Sequence, residues 1–296
     1  MPTTPILGAL GAAMSFAVAA VLQQEAAQRA TREESLHFHL LLVLLHQPRW
    51  VAGVGMLVCG FGLQALALAN GPVALVQPIV ATELVFAIPL AIWRLHRRAQ
   101  RREWAGILLV LTGVSVFLVA ASPESGISQP SGLDWLLVLV PFGSVLCLVV
   151  VTAAARHGPS RATLLGVAAG LSFALLAILT KSVAHQLAYS VGKAFASWQI
   201  YALIALGISA LVLSQSAYQA GPLALSMPSI ALVEPVVAVV VGDTLFDEQA
   251  NLAGGALALE ALAALVAIAG LLMLATSPTV LSIYEQAELK PSRGSP

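Results

Sequence analysis

The sequence predicts an all-α polytopic membrane protein, with about nine transmembrane helices in two inverted four-helix repeats joined by a linker helix. Hydrophobic residues make up 59% of the 296 residues and charged residues only 9%, whereas a soluble domain carries about 25% charged residues. Apolar runs of about twenty residues, enough to cross the hydrocarbon core of a bilayer, recur along the chain. With so few charges the chain could not cover a water-facing surface, so composition outweighs the two soluble domains that length alone suggests.

The spans are placed where an apolar run reaches membrane-crossing length. The Gly-Pro pairs at 71–72 and 221–222 mark turns between spans, because proline suits the first turn of a helix. The predicted spans are 5–23, 48–69, 73–93, 104–121, 133–154, 163–181, 198–218, 223–243 and 253–275. They divide the chain into a first repeat (1–121, including a cytoplasmic segment at 24–47), a linker helix region (122–162), a second repeat (163–275) and a cytoplasmic tail (276–296).

The arginine distribution predicts the orientation in the membrane. Residues 94–103 contain five arginines, so this segment is predicted to be cytoplasmic. Nine alternating spans then put the N-terminus outside, the C-terminus inside and twelve of the fourteen basic residues on the inner side. Lys181 and Lys193 remain outside. We expect a plasma-membrane location, because no targeting segment is seen.

Two stretches of the sequence occur twice. MSFAVAAVL (14–22) recurs as LSFALLAIL (171–179), and GPVALVQPIVATELVFAIPL (71–90) recurs as GPLALSMPSIALVEPVVAVV (221–240). The copies are five spans apart, and an odd offset reverses the direction in which equivalent spans cross the bilayer. This arrangement is an inverted-topology repeat, which is found in many secondary transporters.

Each copy of the longer stretch has an acid near its centre, Glu83 in one and Glu234 in the other. Inversion keeps a mid-span residue at the same depth, so the two carboxyls are predicted to face each other at the bilayer midplane. A charged residue there costs about 2.5 to 3.5 kcal/mol on insertion scales, so either both acids stay protonated or a cation meets them. We predict that they bind a substrate or ion. The alternative is a neutral glutamic acid that bonds helices together, worth about 0.6 kcal/mol.

Prolines flank both acids. Pro78 and Pro228 occupy equivalent places in the repeat, and Pro235 directly follows Glu234. Each proline removes a backbone hydrogen bond, and the freed carbonyls must face protein or a water-filled cavity. We predict helix kinks that shape a cavity, with a break whose carbonyls coordinate an ion as the alternative.

A third acid, Glu260, lies in the outer third of the ninth span. We predict a structural ion pair with Lys181 at the outer end, with an outer gate as the alternative. Other polar side chains near these spans are expected to be packing hydroxyls and amides rather than ligands. They are Ser15, Ser172, Gln64, Gln77, Thr82, Ser214, Ser226 and Ser229.

The repeated GP-x-A-L-x-x-P-x-x-A element and the WVAG…LANGPVALVQP stretch leading into the third span resemble the drug/metabolite transporter (EamA-like) superfamily. The nine-span layout, the AARHGPSRATLL hinge (154–165) and the Thr-Lys that ends the sixth span look most like its NIPA-type magnesium transporter branch. The resemblance covers residues 5–275. It implies a central cavity lined by spans 1, 3, 6 and 8, through which metabolites, drugs or, in this branch, Mg²⁺ pass.

These observations predict a transporter that moves a small polar or cationic solute by alternating access. Mg²⁺ is one candidate, since it is held in proteins through one or two carboxylates plus retained waters. The alternatives are a proton-coupled exporter of a small organic metabolite and a non-transporting membrane scaffold. An enzyme is not expected, because the sequence has no metal-ligand spacing and no nucleophile–base set, and no cofactor is expected. The partners predicted are the bilayer, the solute or Mg²⁺, protons in the exporter alternative and a second copy of the chain, but not nucleic acid.

Overall fold

A computed structural model describes most of the chain, and every secondary-structure element in the described residues is a helix. The chain is an all-α polytopic membrane protein, as predicted. The described residues are 3–27, 47–94, 100–122, 126–127, 129–220, 223–248 and 254–276. The helices are α1 (Thr3–Ala27), α2 (Pro48–Asn70), α3 (Val73–Val80), α4 (Glu83–Arg94), α5 (Arg101–Ala121), α6 (Gly132–Ala154), α7 (Pro159–Tyr189), α8 (Val191–Ala196), α9 (Trp198–Ala220), α10 (Leu223–Phe246) and α11 (Gly254–Ala275).

The predicted number of spans is confirmed, because the described residues contain nine helical segments long and apolar enough to cross a membrane. Two details differ from the prediction. The third span consists of two helices, α3 and α4, and α7 continues beyond 181 to Tyr189, followed by the short α8. The histidines of the predicted cytoplasmic segment and nearly all of the tail lie outside the described residues.

The helices pair in the same way in the two halves of the chain. Helix α1 packs along α2, and its counterpart α7 packs along α9. The third span contacts α1 through both of its helices, while α10 contacts α7. The halves meet where α5 packs against α11, where α3 meets α10 and where α2 meets α7. This is the pairing expected of two copies of one four-helix unit.

Small residues set the distance between α5 and α11. A Cβ atom placed on Gly113 would lie 2.5 Å from the backbone nitrogen of Ala267, and one on Gly270 would lie 2.7 Å from that of Val110. The two backbones therefore approach so closely that no side chain fits between them. Without a hydrophobic driving force inside lipid, such van der Waals contact is a main source of helix association.

Helix α6, the predicted linker, packs mainly along α7. Its N-terminus is closed by a capping box, in which Asp134 N donates to Ser131 Oγ and Ser131 N donates to Asp134 Oδ2. Much of its remaining surface is apolar and exposed, including Leu133, Leu137 and Leu148. In a bilayer this surface faces acyl chains, which explains why an apolar helix needs so little protein around it.

We expect Gly113→Ala to destabilise the protein by about 1–3 kcal/mol, because the added methyl group overpacks the contact with α11. The measurement is the apparent melting temperature of the purified protein in detergent. Gly143→Ala is the matched control, since a Cβ on Gly143 of α6 meets nothing within 4 Å. Equal melting temperatures for the two variants would contradict the packing described here.

Candidate binding site between the two halves

The third span is interrupted immediately before Glu83. Helix α3 ends at Val80, and a turn follows in which Ala81 N donates to Gln77 O and Thr82 N donates to Ile79 O. The Thr82 hydroxyl also donates to Ile79 O, at 2.6 Å. Glu83 then opens α4, where the unbonded N–H groups of a helix start favour a negative charge.

The equivalent span of the second half is not interrupted. Helix α10 runs continuously from Leu223 to Phe246 and includes both Pro228 and Pro235. Glu234 therefore projects from the middle of a helix, whereas Glu83 lies at the start of one. The prediction that the prolines shape a cavity stays a prediction. The helix break beside Pro78 has no counterpart at Pro228.

Glu83 and Glu234 belong to different halves of the chain and lie close enough to interact electrostatically. Both side chains are half-buried. That the two carboxyls bind a substrate or ion together stays a prediction. Two like charges so placed repel each other, so the pair suits a shared proton or a bound cation.

The hydroxyls near these spans are mostly satisfied within their own helices. Ser15 donates to Gly11 O at 2.9 Å, and Ser172 donates to Ala168 O at 2.8 Å. Ser214 likewise donates to Leu211 O at 2.9 Å. Hydrogen bonds of this kind need no ligand, and the packing role of these serines stays a prediction.

Buried amides are among the polar groups left without partners in the described residues. Gln64 and Gln77 are each only 1% exposed. Gln64 Oε1 and Gln77 Nε2 have no hydrogen-bond partner among the described residues, and neither does Ser226 Oγ. An unmet buried amide costs about 1–3 kcal/mol, so these atoms are candidates to bond water or solute. The sequence reading treated them as packing groups, and only burial without a partner distinguishes them.

The site offers few ligands for a metal ion. The described residues contain no group of three or more histidine, cysteine, aspartate or glutamate side chains that could hold one. Glu83 and Glu234 would supply two carboxylates, and the rest of a Mg²⁺ coordination shell would have to be water or neutral oxygen. Any cation bound here therefore keeps part of its hydration shell or carries its own polar groups.

The predicted pairing of Lys181 with Glu260 is wrong. Lys181 Nζ forms a buried ion pair with Glu248 Oε1. Glu260 is also buried, but its Oε1 has no partner among the described residues. Glu248 was missed because it lies just past the eighth span, where an acid normally meets water. The signal was available: a lysine at the end of an apolar span needs an acid at the same end.

Comparisons with known proteins find one family match in the first half of the chain and one relative that matches most of its length. Residues 3–119 match the model of the EamA-like transporter family. An uncharacterised protein of Corynebacterium glutamicum is 28% identical over 247 residues, which cover 82% of this chain and 85% of the relative. No solved structure matches.

We expect Glu83→Gln and Glu234→Gln to be coupled in a double-mutant cycle, because removing one charge removes the repulsion felt by the other. Interaction energies between neighbouring residues are about 0.5–3 kcal/mol. The measurement is thermal unfolding of the two single variants and the double variant in detergent at pH 8. Glu83→Gln combined with Glu260→Gln is the control and should be additive. An interaction energy of zero between Glu83 and Glu234 would contradict the electrostatic interaction between the two acids.

Proposed function

We propose that the chain, whose residues 3–119 match the EamA-like transporter family, is a membrane transporter that moves a small cationic solute by alternating access. The observation that carries the proposal is the pair of mid-span acids, Glu83 and Glu234, which come from opposite halves and lie close enough to interact electrostatically. Within the described part of the chain, neither forms an ion pair with a lysine or arginine. A cation is the partner that such a pair lacks.

Alternating access explains why the acids come from equivalent places in the two halves. A site at the interface stays at one depth while the halves rock about it. A cation that enters from one side neutralises both acids, and the loaded site then opens to the other side. The half-buried state of both side chains is consistent with a site that solvent reaches.

Two cation classes fit this site. Mg²⁺ is supported by the resemblance to the NIPA-type branch and by its tolerance of a shell completed by water. An organic cation is supported by the orphaned amide atoms of Gln64 and Gln77, which would bond its polar groups. Proton-coupled export of a small organic metabolite is the second candidate, because two repelling carboxyls readily share a proton. We place the protein in the plasma membrane, with the N-terminus outside and the C-terminus in the cytoplasm.

We expect Glu83→Gln and Glu234→Gln each to lower transport at least about tenfold, since a charge-assisted contact is worth about 1.5–3 kcal/mol. The protein is reconstituted in liposomes, and Mg²⁺ uptake and proton movement are followed with enclosed fluorescent indicators. Asp243→Asn is the control, because Asp243 is an exposed acid on α10 and loses the same charge.

The outcomes separate the alternatives. Loss of Mg²⁺ uptake in both variants supports Mg²⁺ as the transported cation. Proton movement that requires an added organic compound, and that both substitutions abolish, supports coupled export. A non-transporting scaffold predicts that the wild type and the Glu83→Gln/Glu234→Gln double variant behave identically in every assay. That result would overturn the proposal.

A further inference from the structure

At one end of the protein, the buried carboxylate of Glu248 binds the start of α3. Its Oε1 accepts a hydrogen bond from Val73 N at 2.8 Å, and its Oε2 accepts one from Ala74 N at 3.0 Å. The first N–H groups of a helix have no partner within the helix, and they carry its positive dipole end. Glu248 thus completes the N-terminus of α3. This end of the molecule is called the Lys181 end below.

Lys181 supplies the charge that balances this carboxylate. Its ammonium group pairs with Glu248 Oε1 and lies 4.5 Å from the ring centroid of Phe246. Lys181 belongs to α7, and Glu248 follows α10, so both charges belong to the second half of the chain. Val73 and Ala74 belong to the first half. The charge pair is therefore internal to one half, while the two backbone hydrogen bonds cross between the halves.

The junction around Glu248 is tightly packed. A Cβ atom on Gly242 of α10 would lie 2.9 Å from Val73 Cβ and 3.3 Å from Glu248 Oε2. Ile127 N donates to Phe246 O at 2.6 Å, which fixes the end of α10 from the side. Val73 itself is 0% exposed. Nothing larger than a hydrogen atom fits at residue 242 while the Glu248–α3 contact is in place.

At the opposite end of the molecule, Arg102 Nη2 at the start of α5 donates to Thr276 Oγ1 just after α11, at 2.7 Å and on the exposed surface. There Gln215 Nε2 of α9 also donates to Gln23 Oε1 of α1, at 3.5 Å. Gln23 Nε2 and Gln215 Oε1 have no partner among the described residues. An exposed bond from a charged group contributes little, and a long bond between neutral amides is weaker than two buried bonds to a carboxylate. Among these contacts, the stronger connection between the halves is at the Lys181 end.

We propose that Glu248 is the latch of a gate at the Lys181 end, which opens when the carboxylate releases the N-terminus of α3. Lys181 stays paired with Glu248 during this release, so that the carboxylate is never left buried without a partner, a state that is strongly destabilising. Helix α3 loses only hydrogen bonds that water can replace. The proposal rests on alternating access as the proposed function, but it involves neither the solute nor Glu83 and Glu234.

The test uses a cysteine at Val73 as a reporter of opening. Cys59 and Cys147 are exposed and are replaced by alanine, and Val73→Cys keeps the backbone N–H that bonds Glu248. The rate of reaction with a membrane-impermeant maleimide is measured on the purified protein in detergent, without any solute. Lys181→Met/Glu248→Gln removes the pair without leaving an unpaired charge, and it should raise the rate at least about tenfold. Asp243→Asn is the control and should leave the rate unchanged.

Equal rates in the reporter background and in the double variant would overturn the latch. If the double variant does not give a monodisperse peak in gel filtration, Gly242→Ala takes its place. That change keeps every charge, but the added methyl group overlaps Val73 and Glu248. It should therefore also raise the rate of maleimide labelling. An unchanged labelling rate would overturn the proposal. The assay contains no solute, so a negative result would not bear on the proposal that Glu83 and Glu234 bind the solute. Conversely, loss of flux in the Glu83 variant alone would not bear on the role proposed for Glu248.

Discussion

The absence of water inside a bilayer is the constraint on which the rest of this structure depends. Backbone N–H and C=O groups there must be satisfied within the protein, which is why the described spans are helices. The same constraint makes each departure from a regular apolar helix informative. The turn at Ala81 and Thr82, the acids Glu83 and Glu234, and the buried pair of Lys181 with Glu248 are such departures. They lie in the third span, in α10 and the residues just after it, and near the end of α7.

The same constraint changes how the helices hold together. Acyl chains are as apolar as leucine, so association depends on close contact and on polar bonds rather than on exclusion of water. Glycine provides the contact between α5 and α11. Polar bonds also join the halves at the two ends of the molecule. At one end Glu248 accepts two bonds from α3, and at the other Arg102 bonds Thr276 and Gln215 bonds Gln23. The half-buried acids Glu83 and Glu234 lie between these two ends of the molecule.

Much of the fold could be predicted from the sequence because span length and hydropathy are local properties. The positions of the nine spans needed only runs of apolar residues, and the pairing of helices followed the repeated stretches. The break in the third span could not be predicted in this way. Pro78 and Pro228 are in equivalent sequence positions, yet only the helix containing Pro78 is interrupted. The proline alone therefore does not decide whether the helix is interrupted.

The site was only partly predictable for a similar reason. Glu83 and Glu234 were found because an acid in mid-span is conspicuous and the repeat relates the two. The partner of Lys181 lies 67 residues further along the chain, and only the packing of α7 beside α10 distinguishes Glu248 from Glu260. The unmet amides of Gln64 and Gln77 depend on their neighbours, which no local pattern reveals.

The turn at Ala81 and Thr82 makes the third and eighth spans unequal. The turn separates α3 from α4, both of which contact α1, whereas α10 is continuous from Leu223 to Phe246. In the proposed alternating access, the third span therefore has a break at which it can bend, and α10 has none. The motion that exposes one face of the membrane then differs from the motion that exposes the other.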